Sequence, residues 1–310
     1  MNKNKISRIS FLLTAVCMFV LLADSYTHSQ SLDSGRQLRI IVVGAHPDDC
    51  EQKVGGMAAK WAAKGHLVKF VSTTNGDIGH AEMAGGPLAI RRTAEVKKAA
   101  EILGITSEVL DIHDGELMPT LENRKTILRL IREWKADIVI GHRPNDYHPD
   151  HRYTGILMQD ASFMVTVTFF SPDIPPLTKN PVFLYMSDQF QKPTPFDPGM
   201  VVAIDDVFDQ KVDAIWTLES QIESLWATGN FVEIVPIPDD PIERQKRYTT
   251  IKVRQASRDS GIAERYRDEL IELYGEKTGK NVQYAEAFEI CEYGSQPTME
   301  ELKALFLIED

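Results

Sequence analysis

Short apolar runs alternate with longer segments of helical periodicity over the first half of the chain. The apolar runs lie at residues 38–44, 66–73, 108–112 and 137–141, and the helical segments lie at 54–64, 87–103 and 121–135. Each run is short enough to be a buried strand, and alternation with helices is typical of βαβ units. The sequence therefore predicts an α/β fold with a doubly wound, mostly parallel, Rossmann-like sheet and helices on both faces.

Later segments extend this pattern toward the C-terminus. Apolar runs at 181–185 and 200–204 are predicted to join the same sheet, and the amphipathic segment 207–226 is predicted to cover it as another helix. Charged helical patterns at 242–248 and 260–274 predict a C-terminal helical extension. We therefore expect residues 31–310 to form one domain that includes this extension.

The first 30 residues have the pattern of a secretory signal peptide. Three cations, Lys3, Lys5 and Arg8, precede an apolar stretch at 9–23, and small residues suited to cleavage follow near Ser25 and Ser29. An uncleaved anchor is the alternative, but the apolar stretch is short for a membrane span of about 20 residues. We expect an exported protein, periplasmic or secreted, with no stable membrane span after cleavage.

Charge, cysteine content and glycine spacing exclude several classes of protein. A formal net charge of -11 argues against a polyanionic nucleic acid as a partner. Only Cys50 and Cys291 follow the leader, which is too few for a disulfide framework. The segment Gly-Ala-His-Pro-Asp-Asp at 44–49 lacks the glycine spacing of a dinucleotide-binding loop.

The first of two clusters of histidine and aspartate follows the first predicted strand, as His-Pro-Asp-Asp at 46–49. Pro47 suits the first position of a helical turn, so that His46 and Asp49, three residues apart, project to one side. Neutral imidazole and carboxylate are ligands that a catalytic zinc prefers. Asp48 points elsewhere and remains available to take a proton from water. Helix capping by Asp48 or Asp49 is the alternative for this segment alone.

The second cluster, His-Pro-Asp-His at 148–151, follows the strand predicted at 137–141. Ligands of open α/β sheets bind beyond the carboxyl ends of strands where the winding reverses, and a strand order 3-2-1-4-5 would bring the two clusters face to face there. One of His148 and His151 would complete the ligand set while the other stands over the substrate. Three protein ligands leave one position open, as in catalytic zinc sites. The two clusters together therefore indicate a metal-dependent hydrolase.

At these clusters the chain resembles the PIG-L/LmbE family of zinc-dependent N-acetylglucosaminyl deacetylases. The family signatures Ala-His-Pro-Asp-Asp-x-Glu and His-Pro-Asp-His occur at 45–51 and 148–151. Further matches are Thr-Asn-Gly-Asp at 74–77, Arg-Thr-Ala-Glu at 92–95, Ser-Gln at 220–221 and Ala-Glu-Ala-Phe at 285–288. Residues 230–281 are long for the family, and this extension either packs as an appendage or contributes to substrate selectivity.

The resemblance implies three groups of site residues: metal ligands, catalytic residues and substrate-binding residues. In that order they are His46, Asp49 and His151; Asp48, His148 and Asp150; and Arg92 and Asp114. Within the catalytic group, Asp48 would be the general base and His148 the acid or oxyanion partner. Asp150 would orient and tune His148. The alternatives are a surface ion pair for Arg92 and a structural turn for Asp114.

The activity implied by the resemblance is hydrolytic removal of an N-acetyl group from an amino sugar or a GlcNAc-containing glycoconjugate. The cofactor would be Zn²⁺ or another divalent metal, and the partner would be a small-molecule or glycan substrate. The alternatives are an amidase acting on a larger N-acyl group and a non-catalytic carbohydrate-binding member of the same fold. Retention of Asp48 favours an enzyme. The sequence specifies neither the sugar nor the oligomeric state.

Overall fold

The computed structural model describes residues 36–229 and 232–308. The leader predicted at residues 1–30 lies outside the described residues, so its cleavage and the export of the protein stay predictions. The assignment of residues 31–310 to one domain with an extension at 230–281 stays a prediction as well. Among the described residues, none of the helices combines the length and the apolar character that a membrane-spanning segment needs.

A single sheet forms the centre of the fold. Its strands are β1 (Arg39–Gly44), β2 (Leu67–Ser72), β3 (Thr106–Val109), β4 (Ile138–Gly141), β5 (Val182–Met186), β6 (Met200–Ala203) and β7 (Ala285–Gly294). They lie in the order β3-β2-β1-β4-β5-β7-β6. Strands β1 to β5 pair in parallel, whereas β7 pairs antiparallel with both β5 and β6. The predicted mostly parallel α/β fold is confirmed, and so is the strand order 3-2-1-4-5.

Helices cover the sheet. Within the described residues they are α1 (Asp49–Ala63), α2 (Gly86–Leu103), α3 (Leu121–Trp134), α4 (Pro149–Met164), α5 (Phe208–Trp216), α6 (Glu219–Glu223), α7 (Leu225–Thr228), α8 (Pro241–Arg265), α9 (Arg267–Gly279) and α10 (Met299–Leu305). Strand β1 lies in the core. Its residues Ile41 and Val43 pack in one core cluster with Leu128 of α3 and Leu157 of α4. Helices α1, α2 and α5 contact one another as a separate group.

The structure differs from the sequence prediction at the far edge of the sheet. The runs predicted at 181–185 and 200–204 do join the sheet, but β7 lies between them. The pattern of β7 is hard to recognise because it carries a carboxylate, Glu286, that is almost completely buried. Apolar periodicity identifies strands only where charged side chains face solvent.

Two helical predictions also had wrong boundaries. The segment 207–226 is not one helix, since α5, α6 and α7 are separated by Leu218 and by Ser224, which has non-helical torsion angles. The patterns at 242–248 and 260–274 belong largely to the continuous 25-residue helix α8 and to α9, which begins directly after Tyr266. Mean polarity is high in α8, so its narrow apolar face is recognised only once it packs.

A buried charge cluster attaches α8 to the sheet. Lys211 of α5 places its Nζ 2.9 Å from Asp259 Oδ2 of α8 and 2.8 Å from Glu286 Oε1 of β7. The carboxylate of Glu286 also accepts hydrogen bonds from the backbone N–H groups of Gly56 and Met57 in α1, each at 2.8 Å. Burial raises the pKa of Glu286, and Lys211 opposes that rise. Through these two buried carboxylates, Lys211 of α5 is therefore linked to α8, β7 and α1.

Replacing this lysine should destabilise the fold. In Lys211→Met, Asp259 and Glu286 stay buried without their cation, and we expect a loss of about 3 to 5 kcal/mol in the free energy of unfolding. Urea unfolding followed by tryptophan fluorescence measures it. The control is Lys252→Met, because Lys252 forms a solvent-exposed pair with Asp209 and should cost less than about 1 kcal/mol. Similar losses in both variants would contradict a structural role for the buried cluster.

Candidate active site and metal centre

The two His/Asp clusters lie at the carboxyl ends of neighbouring strands. β1 pairs with β2 on one side and with β4 on the other, where Val43 lies opposite Gly141. Residues 46–49 lead from β1 into α1, and residues 148–151 form the N-cap and first turn of α4 after β4. The winding of the sheet reverses between β1 and β4, which is where α/β proteins bind ligands. The structure thus brings together the clusters that the sequence places about a hundred residues apart.

The donor atoms of the three predicted metal ligands surround one point. His46 Nδ1 lies 3.2 Å from His151 Nε2, and each of these nitrogens lies 3.5 Å from Asp49 Oδ2. Tetrahedral zinc with bonds of about 2.0 to 2.1 Å requires ligand atoms about 3.4 Å apart. The three atoms therefore have the spacing of three corners of a tetrahedral metal site.

The other nitrogen of each imidazole faces a carboxylate. His46 Nε2 lies 3.1 Å from Asp114 Oδ1 and 3.3 Å from Asp150 Oδ2. His151 Nδ1 lies 3.0 Å from Asp146 Oδ1. Burial by itself lowers the pKa of His46, but Asp114, Asp150 and Asp49 raise it well above its usual value. A carboxylate behind each ligand histidine fixes the ring and keeps the proton on the nitrogen that faces away from the metal.

The charge of the surroundings also fits a metal. Within the described residues, five aspartates belong to the cluster or contact it, and Arg92 is the one lysine or arginine that forms an ion pair with any of them. Such an excess of buried negative charge is stable only with a compensating cation. The five are Asp48, Asp49, Asp114, Asp146 and Asp150.

His142 also belongs to this cluster, although the sequence analysis did not select it as a site residue. It directly follows β4, and its Nε2 lies 3.2 Å from both Asp49 Oδ2 and the backbone nitrogen of Ala45. Its ring stacks on that of His151 with 4.1 Å between centroids. Burial, with added repulsion from His151, lowers the pKa of His142 to about 3. A neutral imidazole therefore packs behind Asp49 and His151, and its place at the end of β4 was the signal available in the sequence.

Asp48 lies beside the metal ligands with both carboxylate oxygens held. Asp48 Oδ1 lies 3.3 Å from Arg92 Nη2, and Oδ2 accepts a hydrogen bond from Gln52 Nε2 at 3.0 Å. The amide oxygen of Gln52 in turn accepts from Arg254 of α8 at 3.3 Å. Burial raises the pKa of Asp48, and the charge of Arg92 opposes the rise. The arrangement suits a carboxylate that receives a proton.

His148 and Asp150 have different partners. His148 Nδ1 accepts a hydrogen bond from the backbone N–H of Asp150 at 3.2 Å, which puts the ring proton on Nε2. The Asp150 carboxylate lies 3.9 Å from His148 Nδ1, but it lies 3.3 Å from His46 and accepts from Gly115 N at 2.6 Å and Leu117 N at 3.2 Å. The residue that this carboxylate orients is thus His46, whereas the sequence prediction had assigned it to His148.

Arg92 and Asp114, the predicted substrate-binding residues, both contact protein groups. Arg92 donates to Gly76 O and Pro47 O, each at 3.0 Å, in addition to its ion pair with Asp48. Gly76 has φ 67°, and a Cβ at that position would lie 2.3 Å from the Arg92 guanidinium, so glycine is required there. Both side chains line the cavity, and their contact with substrate stays a prediction.

The cluster opens into a cavity of about 770 Å³. One side consists of the His/Asp cluster, and Tyr147 and Phe190 flank it. The other side comes from the predicted extension, where α8 and the residue after it contribute Arg254, Ser257, Arg258, Gly261, Ile262, Arg265 and Tyr266. Part of the extension is therefore a wall of the active-site cavity and not only a packing appendage.

Comparison with known proteins identifies the family. The PIG-L family, described as GlcNAc-PI de-N-acetylase, matches residues 41–162. The chain is 34% identical over 200 residues to diacetylchitobiose deacetylase of Thermococcus kodakarensis, covering 61% of this chain and 72% of the relative. It is 28% identical over 215 residues to 4-oxalmesaconate hydratase of Pseudomonas putida, covering 66% of this chain and 81% of the relative.

The fold is similar to that of a solved N,N'-diacetylchitobiose deacetylase from Pyrococcus horikoshii, with a TM-score of 0.60. This likeness covers 81% of this chain and 83% of the other at 24% identity, and it concerns the fold alone. On the sequence matches, the chain belongs to the PIG-L family. It is an amide hydrolase of that family with a His/Asp site for a divalent metal.

Removing His151 should remove the metal. His151→Ala takes away one of three protein donors, and we expect bound metal to fall to a small fraction of that in the parent protein. Metal analysis of the purified, dialysed protein measures it, with circular dichroism to verify the fold. His66→Ala is the matched control, since His66 precedes β2 at the opposite edge of the sheet and accepts from Leu38 N. Equal metal content in His151→Ala and the parent would exclude His151 as a ligand.

Asp146, which the sequence analysis did not select, should affect metal affinity through His151. Asp146→Asn replaces the carboxylate that lies 3.0 Å from His151 Nδ1, and we expect metal affinity to fall by about 10- to 100-fold. Competition with a chelator measures the affinity. Asp160→Asn on α4 serves as the control because Asp160 pairs with Arg124 outside the cluster. An unchanged affinity in Asp146→Asn would mean that this carboxylate does not support the ligand.

Proposed function

We propose that the protein is an exported Zn²⁺-dependent deacetylase that removes an N-acetyl group from an amino sugar or GlcNAc-containing glycoconjugate. The observation that carries this proposal is the triangle of His46, Asp49 and His151 donors with Asp48 beside it but outside it. Three protein donors suit a catalytic metal, because the remaining position is available to water or substrate. A buried carboxylate that lies next to that position and is not itself a metal ligand suits proton transfer.

The residues divide the chemistry of amide hydrolysis between them. A divalent ion held by these ligands would lower the pKa of water and polarise the acetyl carbonyl. Asp48 takes the proton of the attacking water, while Gln52 and Arg92 hold its two oxygens in place. His148, with the proton on Nε2, donates a hydrogen bond to the developing oxyanion. Asp48 then passes this proton to the amine nitrogen as the C–N bond breaks, and acetate and a free amino sugar are the products.

The state of His148 supports this role. Burial lowers the pKa of His148. The neutral ring is therefore favoured, and its Nδ1 is already an acceptor for the backbone of Asp150. A neutral donor beside a developing negative charge strengthens its hydrogen bond in the transition state.

The relatives support an amino-sugar substrate. Diacetylchitobiose, the substrate named for the Thermococcus kodakarensis relative, is a disaccharide of N-acetylated amino sugars. A cavity of about 770 Å³ is in the range that accommodates a ligand larger than one sugar unit. The alternative of a larger N-acyl group is tested by comparing acetyl with longer acyl chains on the same amino sugar.

A second candidate function is the addition of water to a carboxylated substrate. The specific observation is the likeness to 4-oxalmesaconate hydratase, which covers 81% of that relative. A screen that records both acetate release from N-acetylated sugars and loss of absorbance from an unsaturated dicarboxylate distinguishes the two reactions. Activity in neither assay, with metal bound, would favour a non-catalytic carbohydrate-binding protein.

Export is part of the proposal because of the pattern in residues 1–30, where three cations precede an apolar stretch. N-terminal sequencing of the mature protein from the producing cell tests it. A start near residue 26 or 30 supports cleavage, and a start at Met1 in cytosolic material contradicts export.

Asp48→Asn should separate metal binding from catalysis. The amide keeps the size of the carboxylate but cannot take a proton, so we expect unchanged metal content and a kcat about 10²- to 10⁴-fold lower. Acetate release from N,N'-diacetylchitobiose gives the rate. Asp173→Asn is the control, since Asp173 is an exposed partner of Arg129 and should retain full activity. Full activity in Asp48→Asn would overturn its assignment as the base.

A further inference from the structure

Two cations line the active-site cavity without a direct partner. Lys53 of α1 and Arg258 of α8 are both half-buried and both face the cavity. In the part of the chain that the structure describes, neither forms a hydrogen bond or an ion pair. Arg254, by contrast, lies over the Trp226 ring at 4.6 Å and donates to Gln52. Lys53 and Arg258 therefore differ from Arg254, which has partners of its own.

The backbone segments that carry the two cations are fixed by buried contacts of the fold. Arg258 precedes Asp259, whose carboxylate is fixed 2.9 Å from Lys211 in the buried charge cluster. Gln255, one turn earlier in α8, donates to the backbone oxygen of Gln52 in α1 at 3.2 Å. The helices that carry Lys53 and Arg258 are thus tied to each other by buried contacts, which fix the backbone positions of both cations.

Burial acts against both charges, and the charge of Arg258 also acts against that of Lys53. Burial lowers the pKa of Lys53, and the charge of Arg258 lowers it further. Burial lowers the pKa of Arg258 as well. Partly desolvated like charges that are kept together are typical of sites where an anion binds, because the anion replaces the lost hydration and removes the repulsion.

The nearby carboxylates are already occupied. Asp188 forms a short pair with Arg143, with 2.7 Å between Nη2 and Oδ1. Asp49 and Asp146 attract Lys53 from a distance, but their oxygens face the metal-centre histidines. The role of distant counter-charge for the metal centre is the structural alternative for Lys53. Asp48 and Asp49, together with Asp259 and Glu286, attract Arg258 in the same way, so this alternative applies to both cations and is decided by comparing charged with neutral substrates.

We propose that Lys53 and Arg258 form a subsite for an anionic group of the substrate, a carboxylate or a phosphate attached to the N-acetylated amino sugar. This inference rests on the proposed function and specifies its substrate class. Arginine offers a planar pair of donors and lysine a compact charge, and together they match the oxygens of either anion. A neutral sugar would leave both cations without a direct ion-pair partner.

The test compares substrates that differ only in charge. The metal-loaded protein is assayed for amine release from N-acetylglucosamine, N-acetylglucosamine 6-phosphate and N-acetylmuramic acid, which carries a carboxylate. We expect a higher kcat/KM for at least one anionic sugar than for the neutral one, and the preferred anion distinguishes phosphate from carboxylate. The preference should decrease as salt is added, because salt screens the attraction.

Two variants and one control assign the preference to these residues. Lys53→Gln and Arg258→Gln should each lower the ratio of anionic to neutral kcat/KM by about 10-fold or more, as expected for loss of a charge-assisted contact. Lys246→Gln removes a charge from the same helix α8, but Lys246 is exposed and paired with Glu243, so the ratio should not change. If both variants lower the two rates equally, the cations act only as distant counter-charges and the proposal is wrong.

A binding measurement keeps this inference separate from the deacetylase proposal. Calorimetry with N-acetylglucosamine 6-phosphate, N-acetylmuramic acid and N-acetylglucosamine on metal-loaded Asp48→Asn requires no turnover. Tighter binding of one of the anionic sugars, lost in the double variant with Arg258→Gln, supports the subsite even if no sugar is hydrolysed. Equal binding of the three sugars contradicts the subsite even if N-acetylglucosamine is deacetylated.

Discussion

The parallel pairing of β1 with β4 is the constraint on which the functional site depends. These strands are hydrogen-bonded neighbours although the chain between them contains two further strands and three helices. Their carboxyl ends therefore lie side by side at the point where the sheet winds in opposite directions. Residues 46–49 and 148–151 meet there, and a separation of the strands by even one intervening strand would leave the donors of His46 and His151 too far apart to share an ion.

In the candidate metal centre, neighbouring groups hold each side chain in one orientation. Asp150 and Asp114 hold His46, and Asp146 faces the far nitrogen of His151. These carboxylates are buried and mutually repulsive, which disfavours the site without a cation and favours it with one. Asp48 stays outside the ligand set because Arg92 and Gln52 hold its oxygens. The carboxylate that we propose as the base therefore lies directly beside the ligands that we propose for the metal.

Helix α8 connects fold stability to the properties of the cavity. The Lys211 cluster fixes α8 against β7 and α1 from within the protein. The same helix also provides Arg254, which reaches Asp48 through Gln52, and Arg258, which lines the cavity together with Lys53. Because a single helix contributes to both, this part of the cavity lining is attached directly to the core. Its charge, and not only its shape, is the determinant of the substrate class that we propose.

The sequence by itself determined the α/β class and the two clusters, because apolar runs and helical periodicity are local properties. The order of the first five strands was only assumed there, and His46, Asp49 and His151 were predicted as metal ligands through the resemblance to the family signatures. Only the tertiary structure decided that Asp150 orients His46, that Asp146 and His142 belong to the site, and that β7 lies between β5 and β6. These features depend on contacts between residues far apart in the chain, and on buried charges such as Glu286 and Lys211 whose partners no local pattern reveals.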